Sequence, residues 1–163
     1  MTIQQIKDDL AATQSIDWEN LPDLDLYLDQ TITYLSREQI KGCPEAELTP
    51  SMVNNYVKAG LVPRAIKKKY NREHLVYLRM INAFKQVYNV KEMKDLLDLL
   101  SHHQDPAEMY HSYQSSIHQA LSQVEQDLTE DDPSELAMRL AVQSVVYKMV
   151  SKRLLEQTDA SEK

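Results

Sequence analysis

The chain has 163 residues, a net charge of −7 and 42% hydrophobic residues, enough for one compact domain or a small domain with an appended helical unit. Its first residues, MTIQQIKDDLAATQS, are acidic and lack a basic-then-apolar leader, and no apolar run nears the ~20 residues that cross a bilayer. One cysteine excludes an internal disulfide, and two glycines exclude a glycine-rich phosphate loop, so a cytoplasmic protein without such nucleotide chemistry is expected.

Apolar β-branched runs between helices are absent, which disfavours a parallel α/β sheet and leaves a mainly all-α chain. Residues 1–23 read as an N-terminal acidic arm with a weak helix near 2–13. A helix is expected over 24–39, in LDLYLDQTITYLSREQ. Cys43 follows in the loop KGCPEAE, where neighbouring acids raise a thiol's pKa, and an inert thiol is expected. Thr49-Pro50 opens a helix over 50–59; Gly60 suits a left-handed cap at its end, and Pro63 stops it from continuing. The segment GLVPRAIKKKYN then reads as a loop or small hairpin. Helices follow over 72–88, 90–103, 106–129 and 133–157. Asn89 with Glu92, Asp105-Pro106 with Glu108, and Asp132-Pro133 with Glu135 mark three of their starts, each with a cap and a glutamate at the third helical position.

The last two helices differ. In 106–129, Met109, Tyr113, Ile117, Leu121, Val124 and Leu128 form one apolar stripe. In 133–157, LAMRLAVQSVVYKMV is apolar on most sides, and such a helix must be covered on several faces. Burial against a second copy would do this, so a homodimer through residues 106–157 is expected. Residues 158–163 read as a flexible tail.

Charge is unevenly placed. Residues 49–94 hold ten Lys or Arg and two acids, a balance of +8, between acidic flanks of −7 and −8. A basic block of this kind is the footprint of a polyanion-binding surface, which the whole-chain charge conceals. Few acids lie inside the block, so intrahelical ion pairs are not expected to account for it. Beside these cations lies PSMVNNYVKA. Val53, Tyr56 and Val57 share one face and should bury, while Ser51, Asn54, Asn55 and Lys58 share the other. Paired exposed asparagines suit base reading, because an Asn amide can bond the N6/N7 edge of adenine in a major groove.

These residues resemble the helix-turn-helix domain of the MerR family of bacterial transcription regulators. The resemblance rests on Val53, Tyr56, Gly60 and Leu61, then on Tyr70 closing a wing, on Leu75, Leu78 and Ile81, and on Val90, Met93, Leu96 and Leu97. It covers about residues 48–100. Asn54 stands where that family has Arg, and Asn55 where it has an aromatic residue. LPDLDLYLDQ and NNYVKAGLVP bring the whole chain closer still to an uncharacterised bacterial family, itself considered MerR-like, that is described only as a domain of unknown function.

The MerR resemblance implies a winged helix-turn-helix over 24–103, with 50–59 as recognition helix, a short wing hairpin in 62–71, and a C-terminal helical pair over 104–157 that dimerises. It implies double-stranded DNA as partner, with base contacts from Ser51, Asn54, Asn55 and Lys58. Phosphate contacts would come from Thr49, Tyr56, Arg64, Lys67, Lys68, Lys69, Tyr70 and Arg72.

No nucleophile–base signature appears, so no enzyme is expected. His102, His103, His111 and His118 cluster without cysteine or HExxH spacing, so no metal or other cofactor is expected, and no small-molecule effector is assigned. His74 is expected to be structural or phosphate-facing. Met109, Tyr110, Tyr113, Met138, Tyr147 and Met149 lie at helical spacing and are expected in the core. The alternative to a DNA binder is a non-enzymatic module whose basic patch meets an acidic protein or RNA.

Overall fold

A computed structural model of the chain describes residues 1–13, 15–37, 47–129 and 132–161. The described residues are mainly helical. Seven helices occur among them: α1 (Ile3–Ala11), α2 (Leu28–Ser36), α3 (Pro50–Lys58), α4 (Arg72–Phe84), α5 (Val90–His103), α6 (Pro106–Asp127) and α7 (Pro133–Ser161). Two short strands, β1 (Leu26–Tyr27) and β2 (Lys69–Tyr70), pair antiparallel, with Leu26 opposite Tyr70 and Tyr27 opposite Lys69.

Local chemistry explains most of the helix starts. The Thr49 hydroxyl accepts from Met52 N–H at 3.2 Å, and Pro50 follows at the first helical position. Asn89 with Glu92 and Asp105 with Glu108 form reciprocal capping boxes. The Asp132 carboxylate accepts from the N–H groups of Ser134 and Glu135, and those bonds hold its pKa below the ordinary value. Each cap satisfies backbone donors that the helix itself leaves unpaired.

Three boundaries differ by four residues from the sequence expectation. The helix expected from residue 24 begins at Leu28, because Leu26 and Tyr27 are drawn into pairing with β2. The helix expected over 72–88 ends at Phe84, with backbone turns through Val87. At the other end of the chain α7 continues to Ser161, past the expected end at 157 and into the segment expected to be a flexible tail. The loop around Cys43 lies outside the described residues.

The core gathers around α4, whose Leu75, Val76, Leu78, Met80 and Ile81 are all buried. Val53 of α3, Met93 and Leu97 of α5, and Met109 and Tyr110 of α6 join it. The acidic N-terminal segment packs onto this unit: α1 lies against α6, the Tyr110 hydroxyl donates to the Ile16 carbonyl at 2.6 Å, and Arg72 Nε donates to the Leu21 carbonyl at 3.1 Å.

α7 is different. It leans on α5 through its C-terminal half, where the Ser151 and Tyr88 hydroxyls are bonded, Lys152 Nζ meets Glu92 Oε1 at 2.9 Å, and Leu155 is buried. Met138, Tyr147 and Met149, expected in the core, are exposed, because no described element covers their side chains. No described helix is long and apolar enough to cross a membrane.

Candidate nucleic-acid interface

α3 is amphipathic in the expected sense. Val53 and Tyr56 are buried in the core, while Ser51, Asn54, Asn55 and Lys58 are exposed on the other side. No acid occurs anywhere in the helix. It ends in a hydrogen-bond pair that fixes the direction of the following chain: Leu61 N–H donates to the Tyr56 carbonyl at 2.9 Å and Gly60 N–H to the Val57 carbonyl at 3.1 Å. This is a Schellman ending, which needs a left-handed residue, and Gly60 supplies it at φ 77°. Leu61 and Val62 are then buried, so the chain emerges only at Pro63 and Arg64.

The lysine run forms a tight turn. Ile66 and Lys69 exchange both backbone hydrogen bonds, at 2.9 and 3.0 Å, around Lys67 and Lys68. Both of those lysines have positive φ, 51° and 66°, the pattern of a type I′ hairpin turn. Asn-Gly fills such turns readily, whereas a long side chain there costs about 1 kcal/mol or more per residue. Two lysines are therefore held at the tip where other residues would fold more easily. Strain of this kind concentrates where a side chain has a task.

The base of the turn is clamped. His74 is buried, with Nε2 3.0 Å from the Arg64 carbonyl and Nδ1 3.0 Å from the Asn71 N–H, and its ring meets Tyr70 edge-on. Nδ1 also lies 2.7 Å from Asn71 Oδ1, so Asn71 meets the ring through both its backbone and its side chain. His74 is thus structural. On the outer side, Lys69 Nζ lies 5.2 Å from the centre of the Tyr27 ring, a cation–π contact, and Tyr27 is 51% exposed. Sequence reasoning placed Tyr27 inside a helix and missed it. The apolar–acidic alternation of Leu24, Asp25 and Leu26 was the signal for an extended segment.

Nine of the ten cations of the basic block fall into two groups. Lys91 pairs with Asp95 at 2.6 Å and Lys94 with Asp98 at 2.8 Å, both one helical turn onward along α5, so ion pairs do account for part of the block. Arg72 is bonded to the carbonyls of Leu21 and Glu19, and Arg79 to the Tyr110 hydroxyl. Lys58, Arg64, Lys67, Lys68 and Lys69 form the second group, with no carboxylate within ion-pair distance among the described residues.

Of the residues expected at phosphates, Arg64, Lys67 and Lys68 are exposed and Lys69 partly so. Thr49 is exposed, with its hydroxyl engaged in the cap. Tyr56 and Tyr70 are only 8% and 5% exposed and belong to the core; burial pushes the Tyr56 phenol pKa up. Arg72 is half-buried on the N-terminal segment. Those three side chains thus serve packing here, and the exposed rim narrows to Arg64 and the lysine turn. The four clustered histidines are exposed, and His111 Nε2 lies 4.0 Å from Glu19 Oε1. Among the described residues no group of three or more His, Cys, Asp or Glu could hold a metal ion.

A family described as "Domain of unknown function (DUF1836)" matches residues 16–116, which include α3, the turn and α4. The chain belongs to that family. The match begins after α1 and stops within α6, so α7 lies wholly beyond it. No curated protein and no solved structure matches the chain.

Proposed function

We propose that this DUF1836 protein is a sequence-specific double-stranded DNA-binding protein, a MerR-like bacterial transcription regulator with no catalytic step, working as a dimer in the cytoplasm. The observation that carries the reading is the strained, acid-free Lys67-Lys68 turn, without an ion-pair partner among the described residues and nine residues beyond the end of a helix that presents Asn54 and Asn55 to solvent. In this reading α2 and α3 form the helix-turn-helix, and the segment from Val62 to Asn71 is its wing.

The division of labour follows from the chemistry. Arg64, Lys67, Lys68 and Lys69 bind phosphates and release counterions, which supplies affinity for any duplex. Four such contacts give a log-affinity against log-salt slope of roughly −3.6 per copy. Ser51, Asn54, Asn55 and Lys58 contact base edges, each well-formed bidentate pair discriminating by ~1–3 kcal/mol. Two copies place their α3 helices in successive major grooves of a palindromic site, ~34 Å or a multiple apart.

Selection of bound duplexes from a random pool tests this directly, with a palindrome as the expected product. Asn54→Ala should flatten base preference at one position and leave the salt slope alone, whereas Lys68→Ala should weaken all duplexes alike. A pool that yields no enriched sequence removes the reading.

One observation favours a second reading. Tyr27 is exposed beside Lys69, and a cation next to an aromatic face suits a stacked base in single-stranded RNA. Tyr56 and Tyr70 are buried, so no row of stacking rings accompanies it. Binding of single-stranded RNA in preference to duplex DNA would favour this alternative.

A further inference from the structure

A cleft of about 420 Å³ opens between α6, Arg79 of α4 and the chain that follows α1, where Thr13, Ser15 and Asp17 line it. That size falls within the ~300–1,000 Å³ of small-molecule sites. No residue of α3 or of the lysine turn takes part. The walls are tied to each other. The buried Tyr110 hydroxyl accepts from Arg79 Nη1 at 2.7 Å and donates to the Ile16 carbonyl at 2.6 Å. Gln114 Nε2 donates to Ser15 Oγ at 2.7 Å and to the same Ile16 carbonyl at 2.6 Å. These bonds pin the N-terminal segment to α6, so the cleft is formed before anything enters it.

The lining is sorted along α6. Arg79 stands at the level of Tyr110. Tyr113, Ile117 and Leu121 follow at steps of four, each half-buried, and make an apolar wall. From Tyr110 to Leu121 the helix rises ~16 Å. His111 and His118, seven residues apart, line the same cleft, which gives that histidine pair a shared place in the fold. Asp17 also lines it but is exposed, and Glu19 lies 4.0 Å from His111 Nε2.

We infer that this cleft binds a small organic monocarboxylate with a compact apolar body, its carboxylate on Arg79 and its body against Ile117 and Leu121. A guanidinium keeps its charge, carries five N–H donors and offers a planar fork that matches a carboxylate. Its bond to the buried Tyr110 hydroxyl orients it. The two histidines add N–H donors for the same anion. Asp17 and Glu19 oppose a second negative charge, which selects a monoanion over a phosphate dianion. The apolar wall then supplies the rest of the affinity by burying the ligand's body.

This site does not rest on the DNA reading, and its test contains no DNA, so either can fail without the other. The experiment is isothermal titration calorimetry on the full chain at fixed pH and ionic strength, with phenylacetate as probe. One site per chain is expected at millimolar concentration. Phenylacetamide has the same shape without the charge, and acetate has the charge without the ring; each should bind about tenfold more weakly or worse. Ile117→Trp fills the apolar end and should abolish the heat of binding while the helical circular dichroism stays in place. Arg79→Gln should abolish it too. Arg79 also holds Tyr110, so should that variant unfold, Ile117→Trp and the comparison of ligands on the wild-type chain still decide. No heat with phenylacetate, equal affinity for the amide, or unchanged binding to a folded Ile117→Trp chain would each overturn the proposal.

Discussion

α4 and α7 are both apolar helices, yet they end in opposite circumstances. The thirteen residues of α4 include six that are buried, His74 among them, and other elements cover it on several sides. The twenty-nine residues of α7 bury Leu136 and Leu155 and leave most of the remaining apolar side chains in water. Apolar sequence therefore does not report burial within one chain; it reports a need for burial, which α4 meets internally and α7 does not. The family match draws the same line, covering α4 and stopping before α7.

The largest effect that would test this contrast lies in α4. Ile81 is fully buried, and Ile81→Ala should leave a cavity and lower the unfolding free energy by about 2–5 kcal/mol in a urea titration. The turn should respond next, and in the opposite direction. Replacing Lys67 by Asn and Lys68 by Gly relieves two strained residues, so stability should rise by about 1–2 kcal/mol. The same double variant should bind duplex DNA more weakly in a fluorescence anisotropy titration. Unchanged binding would mean that the strain serves something else. A smaller effect is expected in α7: Val142→Ser should change stability by no more than about 0.5 kcal/mol in dilute solution. The gap should widen with protein concentration if a second copy covers the site.

A comparably small effect concerns the link between α5 and α7. The hydrogen bond from Lys152, with that from the Asn89 N–H, holds the Glu92 carboxyl below its ordinary 4.5. A lowered acid stabilises the fold at pH values above its ordinary pKa and loses that contribution as pH falls through the lowered one. The difference in thermal midpoint between the wild-type chain and Glu92→Gln should thus be level above about pH 5 and close on further acidification. Both partners are partly exposed, so the whole effect should stay below ~1 kcal/mol.

Legibility in the sequence followed the range of the interaction. Thr49, Asn89, Asp105 and Asp132 announced their helices because a cap is made within four residues. The polar and apolar faces of α3 were equally legible, since helical periodicity sorts them. The start of α2 was not, because Leu26 and Tyr27 are held by residues more than forty positions away. Nor was the split among the cations: Lys91 and Lys94 find partners just past the basic block, and Arg72 finds backbone carbonyls on the N-terminal segment. A Lys-Lys pair carries none of the usual marks of a type I′ turn, so the conformation at the tip could not be read from composition.

The His74 clamp has a thermodynamic consequence. With Arg64 and Asn71 fixed to one imidazole, the lysine finger loses its freedom when the chain folds rather than when it meets an anion. If the finger binds a polyanion as proposed, recognition should be fast and need little reordering, and loosening it through His74→Ala should raise the entropic penalty of capture without removing a lysine or arginine.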